Sequence, residues 1–280
     1  MSSTEWPTGL FVSADWLEKE LANPNLRIIQ VGGENYYHKL HLPGAALVGY
    51  ADFTGYRDGV PGCLPEEKLL QYLFSKLGID ESTHVVAYDA TGGQDASRFI
   101  WSLASMGHTQ GYVLDGGMGV WYSSQRVSDH KVPEITPTKF KGQYDLQWYA
   151  DTDFVKLASE GANDAKLLDV RSEGEYVGQV IRGPKGHIAG AQHMDWVAAL
   201  TNPQDPRLQD DGALRDMLAQ RGIDHPDGDE VVIYCQTAHR AAHTWALLRH
   251  LGYAKVKLYD GSISEWGMQN LPLIPGNSPH

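Results

Sequence analysis

Cysteine is scarce in this sequence: among 280 residues only Cys63 and Cys235 occur. Two cysteines are too few for a disulfide framework, and so low a number is typical of proteins from a reducing compartment. A bridge between the two would tie the halves of the chain together. We expect instead that both thiols are free.

Positively charged residues are also few, and long apolar runs are lacking in the sequence. Lys and Arg number 23 against 35 Asp and Glu, a formal net charge of −12, so we expect neither nucleic acid nor an anionic membrane surface as partner. The longest apolar runs, such as 85–88 and 231–234, are far below the roughly 18 residues that span a bilayer. No basic start followed by an apolar stretch opens the sequence, which predicts a cytoplasmic protein.

What the sequence does contain is an internal repeat. The chain length of 280 residues suggests about two domains, and a hydrophobic content of 42% is ample for packed cores. Three pairs of segments recur at a spacing of about 145 residues. The pairs are 41–45 (HLPGA) with 187–191 (HIAGA), 85–88 (VVAY) with 231–234 (VVIY), and 114–121 (LDGGMGVW) with 259–266 (YDGSISEW).

Each copy alternates strand and helix signals. A short helix is predicted after Ser13 and after Thr152, each followed by a buried strand at 26–31 or 166–170. Alternation of this kind predicts α/β domains, each a mainly parallel sheet with helices on both faces. We predict an N-terminal domain over 1–128, a linker over 129–146 in a proline-containing stretch, and a C-terminal domain over 147–280.

Cys235 is the candidate reactive group of the second copy. The run VVIYCQTAHR passes from a strand through a tight loop to a helix signal, so backbone N–H groups and the positive end of the helix dipole converge on the sulfur. Such a position favours the thiolate, which is the nucleophilic form. The first copy has Asp89 at this point and is therefore predicted to be catalytically silent, a scaffold that closes one wall of a cleft between the domains.

These residues resemble the rhodanese family of sulfurtransferases. Tyr37 followed after three residues by HLPGA fits the N-terminal signature of the family, and VKLYDGSISEW at 256–266 fits the C-terminal one except at Ile263. The resemblance covers nearly the whole chain and implies two tandem rhodanese-like domains, with the N-terminal one inactive. It also implies that Cys235 carries sulfur as a persulfide, without a cofactor, and that residues 236–240 supply an N–H cradle for it.

The loop CQTAHR is most similar to that of bacterial two-domain rhodaneses with a CQT-x-HR loop. The basic residues His239 and Arg240 favour a compact dianion such as thiosulfate as sulfur donor, with cyanide or a thiol as acceptor. Two alternatives stay open. One is a 3-mercaptopyruvate sulfurtransferase, and the other is a persulfide carrier or sulfur-sensing module that acts with a partner protein.

Two rival chemistries fit the loop less well. Cysteine phosphatases need C-x5-R to surround a phosphoryl group, whereas here the spacing is C-x4-R, a narrower ring that suits a single sulfur. Cys235, His239 and His243 are possible metal ligands, but no fourth ligand is suggested, so we expect no metal.

The other candidate site residues each have a functional and a structural interpretation. Arg240 either neutralises the donor or pairs with a carboxylate at the base of the loop. Arg171, which the resemblance places as a substrate-orienting residue, has a salt bridge to Glu173 or Glu175 as its alternative. Trp196 is either a pocket wall or part of the core. The predicted substrate-binding residues are Gln236, Thr237, Ala238, His239, Arg240 and Arg171.

Overall fold

Two parallel sheets of five strands, one in each half of the chain, form the framework of the protein. The computed structural model describes residues 5–180 and 183–279. The N-terminal elements are β1 (Phe11–Val12), α1 (Ala14–Glu20), β2 (Leu26–Val31), α2 (Glu34–Tyr37), β3 (Ala46–Val48), β4 (Gly55–Arg57), β5 (Val60–Cys63), α3 (Glu67–Lys76), β6 (His84–Tyr88), α4 (Gln94–Ala104), β7 (Gly111–Leu114) and α5 (Gly117–Ser123). The C-terminal elements are β8 (Tyr149–Ala150), α6 (Thr152–Ser159), β9 (Lys166–Asp169), α7 (Glu173–Tyr176), β10 (Gln192–His193), β11 (Leu200–Asn202), β12 (Asp205–Leu208), α8 (Asp211–Ala219), β13 (Glu230–Tyr234), α9 (His239–His250), β14 (Lys255–Tyr259) and α10 (Ser262–Met268). Short 3-10 helices lie at Tyr50–Asp52, Leu146–Trp148 and Trp196–Ala199.

The two sheets have the same strand order. It runs β1-β7-β6-β2-β3 in the first and β8-β14-β13-β9-β10 in the second, and every pairing in both is parallel. The central strands β6 and β13 are almost entirely buried because helices cover both faces of each sheet. This agrees with the predicted architecture of two tandem α/β domains, each a mainly parallel sheet with helices on both faces. Among the described residues no helix has the length and apolar character needed to cross a membrane.

A repeated tyrosine–histidine pair fixes the entry to the third strand of each sheet. His41 Nδ1 lies 2.7 Å from the Tyr37 carbonyl oxygen, and His187 Nδ1 lies 3.0 Å from that of Tyr176. The rings of each pair stack, with centroids 4.2 Å and 3.7 Å apart. Since the pair occurs in both domains, its role is structural.

Two features differ from the sequence prediction. Ser13 caps α1 as expected, but α6 begins at Thr152 itself, and its cap is Asp151, whose carboxylate accepts from the Phe154 N–H at 2.8 Å. The antiparallel hairpins β4–β5 and β11–β12 were not predicted. Their strands are only three or four residues long and mostly half-buried or exposed, so they lack the apolar alternation that marks a strand in a sequence.

The segment between the two sheets lies against the N-terminal sheet domain. Asp129 and His41 exchange backbone hydrogen bonds, and Thr138 donates its N–H to the Ser75 carbonyl. The Phe140 side chain is buried in the core. The domain boundaries at 128 and 147 stay a prediction.

The domains meet through α4 and α9, which pack against each other. Each domain also contributes the aspartate of its repeated Asp-Gly motif to the hairpin of the other. Asp260 accepts from the Leu64 N–H at 2.9 Å, and Asp115 accepts from the Leu208 N–H at 3.0 Å. Asp260 is further paired with the fully buried Arg98 at 2.8 Å. The amino-terminal ends of α4 and α9 therefore bring the Asp89 loop and the Cys235 loop to one interface.

Candidate active site

Cys235 lies directly after β13, at the carboxyl edge of the C-terminal sheet and three residues before the cap of α9. Its side chain is buried, and both cysteines are free, so the expected absence of a bridge agrees with the structure. Cys63 is equally buried, in β5. Its burial, together with the charge of Asp260, raises the pKa of the Cys63 thiol to about 12, which makes it unreactive at neutral pH.

Ser262 braces the Cys235 loop from the neighbouring turn. Its hydroxyl accepts hydrogen bonds from the backbone N–H of Cys235 at 3.3 Å and of Ala238 at 3.0 Å, and donates to the Tyr259 carbonyl at 2.9 Å. Ala238 has φ 60°, and Ser262 has φ 50°, both in the left-handed region. Sequence analysis matched this turn to the C-terminal signature and did not identify Ser262 as a residue of the site. A serine in a glycine-like position is the signal that could have found it.

The remaining N–H groups of the loop are left available. In residues 5–180 and 183–279 we find no protein acceptor for the backbone N–H groups of Gln236, Thr237, His239, Arg240 and Ala241. Unpaired amides at the start of a helix attract an anion. The loop therefore presents donors around Cys235.

The corresponding loop of the N-terminal domain is already filled. The Asp89 carboxylate accepts from the N–H groups of Thr91 at 3.0 Å, Gly93 at 2.8 Å and Ala96 at 2.8 Å. An internal carboxylate thus occupies the position that is open beside Cys235. The two loops therefore differ in their central residue, Cys235 or Asp89, and also in whether a side-chain carboxylate accepts from the loop N–H groups.

Arg240 has the carboxylate partner that was one of its two predicted roles, and its contact with a donor stays a prediction. Its guanidinium donates to Glu175 of α7 through Nη1 at 2.7 Å and Nη2 at 2.9 Å. Burial opposes the charge of Arg240, but hydrogen bonds and charge from Glu175, and then from Cys235, outweigh it and raise the pKa of Arg240. Arg240 is thus held by a carboxylate and also faces the cysteine.

His239 faces the opposite domain. Its Nε2 lies 2.5 Å from Asp95 Oδ1 in the first turn of α4, and its ring lies 4.7 Å from the ring of Tyr50. The Tyr50 hydroxyl is buried and has no hydrogen-bond partner within the described part of the chain. Burial raises the pKa of Tyr50 to about 12, with the charge of Cys235 adding to the effect and Arg98 opposing it. Sequence analysis did not identify Asp95 or Tyr50 as site residues.

The other predicted loop residues contact neighbouring elements. The Gln236 side-chain amide donates to the Ser264 hydroxyl at 3.0 Å. Thr237 lies beside the β4–β5 hairpin, where a Cβ on Gly62 would come within 3.1 Å of the Thr237 carbonyl oxygen. The β4–β5 hairpin of the N-terminal domain therefore forms one side of the loop.

Arg171 lies in a buried ion pair. Its guanidinium donates to Asp169 at 2.6 Å and to the Gly186 carbonyl at 2.7 Å, and its side chain has no exposed surface. This geometry favours the structural alternative, although the partner is Asp169 and neither Glu173 nor Glu175. The contact of Arg171 with a donor stays a prediction without support from its surroundings.

Trp196 and His243 pack together at the domain interface. Their rings are 5.2 Å apart, and Trp196 also lies against Gly92, where a Cβ would be 3.3 Å from the indole. Burial lowers the pKa of His243 to about 4, so this ring is neutral at physiological pH. No group of three His, Cys, Asp or Glu able to hold a metal occurs in the described residues. A role of Trp196 as a pocket wall stays a prediction.

Comparison with known proteins points to one family. The model of the rhodanese-like domain matches residues 13–124 and 152–269. The chain is 32% identical to a thiosulfate sulfurtransferase of Pseudomonas aeruginosa over 92% of this chain and 94% of the relative, and 34% identical to one of Azotobacter vinelandii over 90% and 91%. The crystal structure of SseA from Escherichia coli, a 3-mercaptopyruvate sulfotransferase, superimposes with a TM-score of 0.79 at 25% identity, covering 91% of this chain and 99% of that one.

Proposed function

The chain belongs to the rhodanese family of sulfurtransferases, and on that premise we propose that it transfers a sulfane sulfur from thiosulfate through a persulfide on Cys235 to cyanide or a thiol. The observation that carries the proposal is the contrast between the two loops. Five N–H groups around Cys235 are without a protein acceptor in the described chain, whereas the Asp89 carboxylate fills the equivalent loop. Among the described residues the Cys235 loop, unlike the Asp89 loop, holds no internal carboxylate, so these donors can serve a further anion.

The reaction is a double displacement. The Cys235 thiolate attacks the outer sulfur of thiosulfate, the sulfur–sulfur bond of the donor breaks, and sulfite leaves with the bonding electron pair. The persulfide anion that remains is stabilised by the loop amides, which are preorganised and aimed at the developing charge. An acceptor anion then attacks the outer sulfur, and Cys235 leaves as thiolate. No oxidant or cofactor is required for this exchange.

The proposed site is built around this step. Cys235 is the nucleophile, and residues 236–240 (QTAHR) form the cradle. Arg240 supports the negative charge on the sulfur because Glu175 fixes its guanidinium next to Cys235. The N-terminal domain, proposed over 1–128, contributes the opposite wall.

One observation favours mercaptopyruvate as an alternative donor. Both cationic residues of the loop have a carboxylate partner, Glu175 for Arg240 and Asp95 for His239. Such pairing reduces the positive field that would attract a dianion. A singly charged donor is therefore a second candidate. Location in the cytoplasm and action as a carrier for a partner protein also remain proposals.

Intact mass measurement tests the function directly. The protein is incubated with thiosulfate, desalted, weighed and then treated with cyanide. We expect a gain of one sulfur atom and its loss as thiocyanate. Cys235→Ala should do neither, while Cys63→Ala, the matched control at the other buried cysteine, should behave as wild type. A gain with mercaptopyruvate alone would reassign the donor, and a gain with neither would refute the proposal.

A further inference from the structure

The silent domain places a carboxylate against the catalytic loop. Asp95 Oδ1 lies 2.5 Å from Nε2 of His239, across the domain interface. The Asp95 side chain is 15% exposed and that of His239 is 31% exposed, so the pair is partly shielded from solvent while part of the imidazole stays accessible. The contact is an ion pair by distance, and a carboxylate this close to one imidazole nitrogen stabilises the imidazolium that forms when the ring takes up a proton.

Asp95 is held in place before any substrate arrives. Its other carboxylate oxygen, Oδ2, accepts from the Thr91 hydroxyl at 3.0 Å. Thr91 is itself fixed, because its N–H donates to the buried Asp89 carboxylate at 3.0 Å. The residue that replaces the catalytic cysteine in this domain therefore rigidifies the loop that presents Asp95.

Other residues also lie near the His239 ring. Tyr50 packs on its ring from the 3-10 helix Tyr50–Asp52, with ring centroids 4.7 Å apart and planes tilted by 50°. Arg240 and Cys235 adjoin it on its own loop. The titratable groups around the imidazole are thus one carboxylate, one phenol, one guanidinium and the cysteine. Of these, only the carboxylate lies in ion-pair contact with the ring.

We propose that His239, positioned by Asp95 of the silent domain, is the general base that deprotonates a thiol acceptor in the second half of the reaction. The inference rests on the proposed function of Cys235. The thiol proton passes to the His239 imidazole, the acceptor sulfur forms a bond to the outer sulfur of the persulfide, and the bond from that sulfur to Cys235 Sγ breaks. The products are an acceptor persulfide anion, the Cys235 thiolate and an imidazolium, which returns its proton to solvent.

This assignment gives the silent domain a part in acceptor choice. A thiol must lose a proton before it attacks, whereas an acceptor that is already an anion gains nothing from a base. Asp95 is accordingly a positioning residue and His239 a catalytic one. Loading of Cys235 from thiosulfate involves no proton transfer and therefore needs no general base.

Single-turnover unloading separates the two kinds of acceptor. Wild type, Asp95→Asn and His239→Asn are loaded with thiosulfate, desalted, and mixed at about pH 8 with either 2-mercaptoethanol, whose thiol is largely protonated, or sulfite, which is an anion. Loss of the persulfide is followed by quenched intact mass. Because general bases contribute about 10²–10⁴-fold, both variants should unload to the thiol at least about 30-fold more slowly, and Asp95→Asn, which leaves the Cys235 loop itself intact, should unload to sulfite within about threefold of wild type.

Asp115→Ala is the control for the interface, because alanine removes the acceptor of the contact. Asp115 is the aspartate by which the N-terminal domain contacts the other hairpin, through the Leu208 N–H at 3.0 Å, and so it tests whether a loosened interface explains any loss. We expect it to unload to both acceptors as wild type does. Equal slowing of thiol and sulfite unloading in Asp95→Asn would show a merely structural role, and unchanged thiol unloading would show none. Either result overturns the inference.

The proposed function can fail separately in the same experiment. If wild type takes no sulfur from thiosulfate, loading is repeated with mercaptopyruvate, and the comparison of acceptors proceeds from that persulfide. If neither donor loads Cys235, both proposals are refuted together. If Cys235 loads normally but the variants show no slowing specific to the thiol acceptor, only the role of Asp95 and His239 is refuted.

Discussion

Arg240 at the end of the catalytic loop and Glu175 in α7 form a bidentate ion pair with distances of 2.7 Å and 2.9 Å. The two residues are 65 positions apart, and both side chains are 22% exposed. Glu175 also accepts from the Ser172 hydroxyl at 2.8 Å, so its carboxylate is fixed from two sides. The pair anchors the far end of the Cys235 loop to the segment that follows β9.

Replacement of Glu175 should destabilise the protein in a pH-dependent way. Burial works against its charge, but hydrogen bonds from Arg240 and Ser172 lower the pKa of Glu175 to about 2, below the ordinary 4.5. A lowered native pKa gives stability that is complete above the unfolded value and is lost as pH falls toward the native one. Glu175→Gln should therefore cost about 1–3 kcal/mol at pH 7, and the difference from wild type should shrink between about pH 4.5 and 2.

Urea denaturation at a series of pH values measures this effect. The exposed Glu173, two positions earlier in the same helix, provides the control, and Glu173→Gln should change stability little. If the stability deficit of the Glu175→Gln variant stayed constant down to pH 2, that result would contradict the assigned charge pairing.

The sequence predicted the elements that depend on local pattern. Apolar runs such as 231–234 identified the central strands, and the recurrence of HLPGA as HIAGA identified the two domains. Cys235 could be found because its site is a local feature, a strand followed by a loop and a helix. The difference between Cys235 and Asp89 appeared as soon as the repeats were aligned.

The sequence did not predict the partners that residues acquire across the domain interface. Asp95 precedes His239 by 144 positions, and nothing in the local pattern of either residue indicates how α4 and α9 pack. Arg171 shows the same difficulty at short range, because the resemblance indicated a substrate contact and the fold buries the guanidinium against Asp169. The orientation of two packed domains is set by shape and by the total buried surface, which single motifs do not encode.

Asp115 should make the protein less stable as the pH rises through the weakly acidic range. Burial raises the pKa of its carboxyl to about 6 from 3.8, although the Leu208 N–H and Arg207 oppose the effect. Between about pH 4 and 6 the native state then binds more protons than the unfolded state, so stability falls with increasing pH. Asp115→Asn removes this loss and keeps an oxygen for the Leu208 N–H. It should gain about 1–3 kcal/mol over wild type at pH 7 and little at pH 4.

Asp80→Asn is the control, because the pKa of Asp80 is lowered whereas that of Asp115 is raised. Hydrogen bonds from Ser82 lower the pKa of Asp80, so its removal should never stabilise the protein at neutral pH. Chemical denaturation of both variants at pH 4 and 7 tests the pair. Equal effects of Asp115→Asn at the two pH values would contradict the raised pKa.

At Ser262 the glycine variant should be more stable than the alanine variant, and at Ser264 the order should be the reverse. Its hydroxyl accepts from the N–H groups of Cys235 and Ala238, so loss of the oxygen leaves two buried donors unpaired in both variants, at a cost of about 1–3 kcal/mol. Ser262 has φ 50°, a conformation that costs about 1–2 kcal/mol for a residue with a Cβ and little for glycine. Ser262→Gly should therefore be the more stable variant by about 1 kcal/mol.

Ser264 lies inside the same short helix, α10, without this backbone strain. Its hydroxyl donates to the Gln236 carbonyl at 2.7 Å, so it too supports the catalytic loop through a side-chain oxygen. In the interior of a helix glycine is less stable than alanine by about 0.8–1 kcal/mol. Ser264→Ala should then be the more stable variant at this position. Because both comparisons remove a hydroxyl that holds the same loop, only the backbone conformation distinguishes them, and the same order at both positions in thermal or chemical unfolding would refute the left-handed conformation of Ser262.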